Sequence, residues 1–253
     1  MNDAKLAEFF QATGYLRVPE ALPDTLVQDV RTKLEDQFVR AIPPFRTNRA
    51  GEVSRLEGLL DRDPIFLSVL RDPVVLDRLH MLLGPNIEVC RFRHNHATLN
   101  RAGDIPFRLH RDIQQWSRSL VSVFVYLEEA TSLNGCTHIV PSSHTLPYAG
   151  PQSGDGGGNW ADEHDQYRYL IGQELPMPMA RGGVLMMSSL AFHTVGINQS
   201  AGTRMSMVFA CHSSDQLDPV LEKSGTILVT GTRQFKGNPA LRVSGSLINP
   251  EIK

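Results

Sequence analysis

The sequence is short of cysteine, of basic excess and of long apolar runs, and each shortage closes off a class of function. Its three cysteines, Cys90, Cys136 and Cys211, are odd in number and widely spaced over 253 residues. That pattern is neither a disulfide framework nor a zinc knuckle, and it predicts buried thiols in a reducing compartment. A formal net charge of −2 leaves no basic footprint for nucleic acid. No apolar run approaches the roughly 20 residues that cross a bilayer. The opening MNDAKLAEFF lacks the basic start and apolar stretch of a secretion signal, so a cytoplasmic location is expected. Internal repeats and composition breaks are also missing, which predicts one domain over residues 1–253. With 41% hydrophobic and 21% charged residues, the chain can bury a sizeable core. These totals predict a soluble enzyme or small-molecule binder, and they do not set an oligomeric state.

What is present divides the chain in two. Residues 1–85 read as mainly helical. A short helix over 3–13 is followed by Gly14 and a strand-like Tyr15–Pro19. A second helix opens at Asp24, with Leu26, Val30, Leu34 and Phe38 as its apolar face. Residues 41–56 read as a surface loop, and Asp63 to Leu83 as a helical stretch stopped by Gly84-Pro85. From residue 86 the texture changes to short β-prone runs at 87–98, 106–112, 120–128, 136–140, 183–188 and 204–212. Turn residues separate these runs, and no 10–15-residue amphipathic helix intervenes. That rhythm predicts a mainly β fold with flanking helices, an antiparallel barrel or jelly roll spanning about 86–213. A strand-poor insertion over about 146–180 contains the Gly-rich GPQSGDGGG and reads as a lid or a disordered loop.

The chemistry concentrates at two places. In FRLHRDIQQW, read as a strand, His110 and Asp112 share a face, with Gln114 next. An imidazole beside a carboxylate supplies two ligands of a facial triad, which leaves three metal positions open. His-x-Asp alone is weak, since a surface histidine near a solvated acid gives the same pattern. The second place is His193, followed by the turn Gly196–Gly202 and a strand from Arg204. Strands joined by such a turn are expected to lie side by side, so that His193 and Arg204 face one cavity. A buried arginine needs a carboxylate partner, and a dicarboxylate held by a metal at one end and by Arg204 at the other meets that need.

These residues resemble the phytanoyl-CoA dioxygenase family of iron- and 2-oxoglutarate-dependent oxygenases over roughly residues 5–213. The likeness lies in Gly14-Tyr15 and the helical segment ending Leu82-Leu83-Gly84-Pro85. It continues in His110-x-Asp112, in Asn134-Gly135-Cys136 with Pro141-Ser142-Ser143-His144, and in His193-x-x-Gly196-x-Asn198 with Arg204. The resemblance implies a double-stranded β-helix (a cupin-like jelly roll) with Fe(II) held by His110, Asp112 and His193. It implies 2-oxoglutarate and O₂ as co-substrates, with Arg204 on the distal carboxylate and hydroxylation as the default reaction. Family members often carry Ser or Thr two residues after the distal histidine, where this chain has Val195, so Thr194 or Ser206 is the expected substitute. The strand before His-x-Asp usually offers a polar side chain to the co-substrate; within His94–Asn100 the inward residue stays open, and Asn100 is the candidate. Asp112 argues against the halogenating relatives, which replace that carboxylate.

Other residues carry less. His94 and His96 can line the pocket or serve structure, His138 and His144 fit turn architecture, and His212 falls at the far end of its strand. Phe107 and Trp116 read as core or pocket wall. The insertion holds Asp155, Asp162, Glu163, Asp165 and Glu174 against Arg168, which points to a polar or cationic small substrate, such as an amino acid or another specialised metabolite. Two alternatives stay open: a metal-binding jelly roll that does not oxidise its ligand, and an O₂-independent, cupin-like isomerase or hydrolase. Retention of Arg204 argues against a pure binder.

Overall fold

Asn2 accepts a hydrogen bond from the Lys5 amide and starts α1 (Asp3–Thr13); Gly14, left-handed at φ 81°, ends it. The chain then enters β1 (Tyr15–Val18). A computed structural model of the protein describes residues 2–19, 21–104, 108–112, 120–147, 160–215 and 225–233. Helix α2 (Asp24–Val39) buries Val27, Val30, Leu34, Gln37 and Phe38, close to the expected face, with Leu26 only partly covered. The helical stretch after residue 58 is three helices, α3 (Leu59–Arg62), α4 (Ile65–Leu70) and α5 (Pro73–Leu83). Pro64 and Pro73 divide it, because proline cannot continue a helix but suits a first turn. Asp72 caps α5 by accepting from the Val74 amide.

Residues 41–56 are not a loop. They form the hairpin β2 (Phe45–Thr47) and β3 (Val53–Glu57), which adds to the edge of the main sheet. Their only fully buried side chain is Leu56, so the apolar alternation that announces a strand is missing. The run expected at 87–98 is two strands, β4 (Ile87–Cys90) and β5 (His96–Asn100), separated where His94 takes φ 45°. Then come β6 (Val121–Tyr126), β7 (Thr137–Ile139), β8 (Leu175–Met177), β9 (Val184–Ser188), β10 (His193–Val195), β11 (Arg204–Ser213) and β12 (Thr226–Thr230). Within the insertion, residues 148–159 lie outside the described residues. The remainder packs as 3₁₀ turns and β8, burying Ala161, Tyr167 and Leu170 against Phe192.

All pairings are antiparallel. The larger sheet runs β1-β9-β6-β11-β5-β3-β2, with β4 beside the far half of β11 and β12 beside β4; the smaller is β10-β7-β8. Alternation along β11, β5 and β6 sorts the side chains. Met205, Phe209, Ala97, Leu99, Val123 and Val125 join the helices in the principal core, while Arg204, Ser206, His96, Thr98, Asn100 and Phe124 line a cavity. Thr137, His193 and Val195 of the smaller sheet complete that cavity. A second cluster around Tyr126, Cys136, Ile139 and Leu185 fills the space beside it. Among the described residues, no helix is long and apolar enough to cross a membrane.

Candidate metal centre and co-substrate pocket

The segment expected as a strand over 106–112 is, where described, a pair of isolated antiparallel bridges from His110, one to Trp160 and one to His193. His110 donates its amide to the His193 carbonyl (2.9 Å), and His193 returns one to His110 (2.8 Å). The Asp112 amide adds a bond to the Ser189 carbonyl at 3.0 Å. These bonds set the two imidazoles 4.3 Å apart, centroid to centroid. Asp112 still joins them, because Arg111 between the ligands turns the other way. It donates 2.9 Å bonds to the carbonyls of Ser143 and Leu146, and its guanidinium lies 4.4 Å from the Phe192 ring and 5.1 Å from that of Tyr167. Phe107, Gln114 and Trp116 lie outside the described residues.

One ligand atom each from His110, Asp112 and His193 falls within 4.8 Å of the others. Both histidines are oriented alike: Nδ1 of His110 meets the Arg108 carbonyl (2.8 Å) and Nδ1 of His193 the Ala191 carbonyl (3.1 Å). A carbonyl only accepts, so Nδ1 carries the proton and the Nε2 lone pair is presented to the cluster. Asp112 Oδ1 lies 3.5 Å from His193 Nε2 and 3.9 Å from His110 Nε2. Its Oδ2 accepts from the Ser122 hydroxyl at 2.7 Å, and Ser122 is bonded in turn to Ser189. Burial pushes the Asp112 carboxyl up, but His94, His193 and His110 outweigh it and hold the group well below the usual carboxylate range. Burial, and then His193, push His110 down to about 4. Near neutral pH, His110 and Asp112 are therefore in the states a divalent cation requires. Two nitrogens and one oxygen facing an open cavity fit the donor set of a non-haem Fe(II) site.

The co-substrate side also fits. Arg204 is 3% exposed, and its Nη1 donates to the Ser206 hydroxyl at 3.0 Å. Its Nε has no hydrogen-bond partner, and among the described residues no carboxylate forms an ion pair with it. Glu128, an acid close enough to influence it, is engaged by Arg31, Thr203 and the Met205 amide. A buried guanidinium left this way beside a cavity of about 640 Å³ suits an incoming carboxylate.

Of the expected co-substrate residues, Ser206 and Asn100 line the cavity with Arg204, while Thr194 does not. The pleat of β10 directs His193 and Val195 inward, and Thr194 sits opposite His138 on β7. His193 and Arg204 share the cavity but are not on neighbouring strands. β10 belongs to the smaller sheet and β11 to the larger, so the Gly196–Gly202 turn crosses between sheets. Asn198 secures that crossing by donating to the carbonyls of Asn100 and Gly202. Gly135, at φ 81°, admits the crossing, since a Cβ there would sit 2.4 Å from the Gly196 carbonyl oxygen.

His94 and His96 both line the cavity, with His94 Nε2 3.1 Å from Asp112 Oδ1. His144 donates from Nε2 to the Gln11 carbonyl, and His212 faces Glu88; neither lines the cavity. Asp162 and Glu163 are held by Arg108 at 3.0 and 3.1 Å, Asp165 lies 3.5 Å from Arg168, and Glu174 accepts from the Gly172 amide. None of these acids lines the cavity, and Asp155 lies outside the described residues. Sequence reasoning missed Ser122, Ser189 and Arg111. Buried hydroxyls within apolar runs were the signal for the two serines.

An antiparallel jelly roll that brings two histidines and an aspartate to a cavity, opposite a buried arginine, defines a mononuclear metal enzyme. The profile of the phytanoyl-CoA dioxygenase family matches residues 10–206, and the chain belongs to that family of iron- and 2-oxoglutarate-dependent oxygenases. The chain is 24% identical over 149 residues to the L-proline trans-4-hydroxylase of Streptomyces griseoviridis, covering 56% of this chain and 54% of that one. The epimerase SnoN, solved with Fe3+, alpha ketoglutarate and nogalamycin RO, superposes with a TM-score of 0.71 at 18% identity, over 91% of this chain and 96% of that one. EctD from S. alaskensis, solved with 2-oxoglutarate and 5-hydroxyectoine, gives 0.69 at 16% identity, over 84% and 77%. These likenesses establish the fold, a mainly β jelly roll with flanking helices.

Proposed function

We propose that the protein hydroxylates or otherwise oxidises a small polar metabolite, with His110, Asp112 and His193 holding Fe(II) and Arg204 with Ser206 holding 2-oxoglutarate. The observation that carries the reading is the buried Arg204, which has no carboxylate partner among the described residues and shares the cavity with the three ligands. When bound, the iron, 2-oxoglutarate and O₂ supply the oxidising equivalent, with release of succinate and CO₂. The chain's own part is positioning. Arg108 and Ala191 carbonyls orient the histidines, Ser122 orients Asp112, and Phe124, Val195, Met207 and Val208 limit water at the cavity wall. Asn100, beside Arg204 in register, is placed to contact the co-substrate, and Thr194 is not.

We read residues 1–253 as one catalytic domain. None of the three cysteines forms a disulfide, which supports a reducing compartment such as the cytoplasm. The kinship with a proline hydroxylase supports an amino-acid-like substrate. A cationic preference has no support from the insertion's described acids, which are occupied and turned from the cavity. Anaerobic titration with Fe(II) and 2-oxoglutarate tests the assignment. Wild type should develop the weak visible charge-transfer band of the chelate, and His110→Ala should lose it. A folded wild type without the band returns the protein to a ligand binder or an O₂-independent enzyme.

A further inference from the structure

The β2–β3 hairpin, at the edge of the larger sheet, forms one wall of the cavity, and its charge leans positive. Arg46, Arg49 and Arg55 line the cavity there, beside Glu52 and Asp104. Both acids are turned to neighbours: Glu52 takes the Asn48 amide and lies 3.9 Å from Arg101, and Asp104 accepts from Asn48 and from the Arg101 backbone. Arg46 and Arg55 converge on a single oxygen of Glu57, at 2.8 and 2.9 Å, so one carboxylate answers two guanidinium groups. The contact from Arg55 Nε lacks hydrogen-bond geometry and leaves that buried N–H unsatisfied. Arg49 is exposed and forms no ion pair among the described residues. The wall therefore has positive charge that its own acids do not fully neutralise.

His96 adds a donor of fixed sense. Arg55 Nη2 lies 2.9 Å from His96 Nδ1. A guanidinium has no acceptor, so Nδ1 must accept, and the neutral ring carries its proton on Nε2. That N–H has no hydrogen-bond partner among the described residues, and His96 lines the cavity. A row of polar groups thus leads from the metal centre to the rim: Asp112 to His94 at 3.1 Å, His94 to His96 with rings 6.0 Å apart, then Arg55. A substrate lying along this row would present one end to the metal ligands and the other to the hairpin.

Resting on the oxygenase reading, we infer that the hairpin wall is a subsite for a carboxylate of the substrate, received by Arg49, Arg55 and the Nε2–H of His96. The cavity of about 640 Å³ holds 2-oxoglutarate and one further small molecule, which favours a compact acid over a nucleotide-bearing thioester. Amino acids satisfy the assignment through their carboxylate.

Affinity selection with mass-spectrometric detection tests this without turnover. The protein, anaerobic with Fe(II) and saturating 2-oxoglutarate so that Arg204 is occupied, is mixed with matched pools of small carboxylic acids and their primary amides, with coenzyme A added. Retention of acids over their amides by about tenfold is expected. Arg49→Gln, at an exposed and unpaired position, should cut acid retention several-fold while leaving amide retention unchanged, and Arg49→Lys should restore most of it. Arg55→Gln should do the same if its thermal unfolding remains cooperative. Equal retention of acids and amides, or preferential retention of coenzyme A, overturns the inference. The charge-transfer band is read on the same samples. Loss of the band with acid selectivity intact would sink the oxygenase reading and leave the subsite standing, and the reverse would sink only the subsite.

Discussion

The two walls of the cavity are built differently. The co-substrate wall is β11 between β5 and β6, a strand whose every residue is buried. Arg204 and Ser206 stand there in a continuous ladder. The metal wall is irregular: residues 108–112 are held by isolated bridges from His110 to His193 and to Trp160, by the Ala161–Leu109 and Asp112–Ser189 backbone bonds, and by side chains. A ladder fixes side-chain direction through backbone bonds alone, whereas an irregular segment must be tied down residue by residue. The difference predicts that the co-substrate wall tolerates backbone-neutral changes around its charged residue, and that the metal wall depends on neighbours that never touch the metal.

The largest effect should come from removing the charge on the regular wall. Arg204→Met keeps much of the buried stem but deletes the guanidinium, and 2-oxoglutarate affinity should fall about 100-fold or more. The charge-transfer titration measures it directly, with metal affinity unchanged. Wild-type affinity in this variant would mean that the distal carboxylate is held elsewhere in the cavity.

On the irregular wall the corresponding residue is Arg111, which faces away from the metal. Its three backbone acceptors, the carbonyls of Ser143, Leu146 and Pro147, tie the ligand segment to the turn beyond β7, and its stacking on Tyr167 and Phe192 ties it to the insertion. Arg111→Met should destabilise the protein by about 2–3 kcal/mol, from unmet carbonyls and lost cation–π contact. It should also weaken Fe(II) binding, because His110 and Asp112 flank it. Urea unfolding and metal titration check the two effects, and a variant with normal stability would show the segment held by its backbone bonds alone.

How much of this was legible in the sequence follows the same division. Helix α1 announces itself by its caps, helix α2 by its apolar face, and strands β6, β9 and β11 by short apolar, β-prone runs. The three metal-ligand candidates were legible from spacing and resemblance, although the strand expected to carry His110 and Asp112 is a bridge to β10, a tertiary contact with no local pattern. The hairpin escaped for a related reason. Its strands are three and five residues long, carry one fully buried apolar side chain between them, and join the sheet through β3, which pairs with β5 from a distance in sequence. The acids of the insertion were legible as acids, but Arg108, the partner of Asp162 and Glu163, lies more than 50 residues away, so the neutralisation of that pair was not.

The smallest predicted effect gives the sharpest comparison, because it sets two hydroxyls against each other. Sequence spacing makes Thr194 and Ser206 equal substitutes for the hydroxyl that Val195 lacks. The two sheets separate them: Ser206 accepts from Arg204 at 3.0 Å inside the cavity, whereas Thr194, in register with His138 on β7, does not line it. Ser206→Ala removes one hydrogen bond to a charged group without altering the ladder, so KM for 2-oxoglutarate should rise several-fold, up to about tenfold. Thr194→Val should leave that KM unchanged. The reverse pattern, with Thr194→Val impaired and Ser206→Ala normal, would put the distal carboxylate against the smaller sheet and shift the co-substrate assignment away from β11.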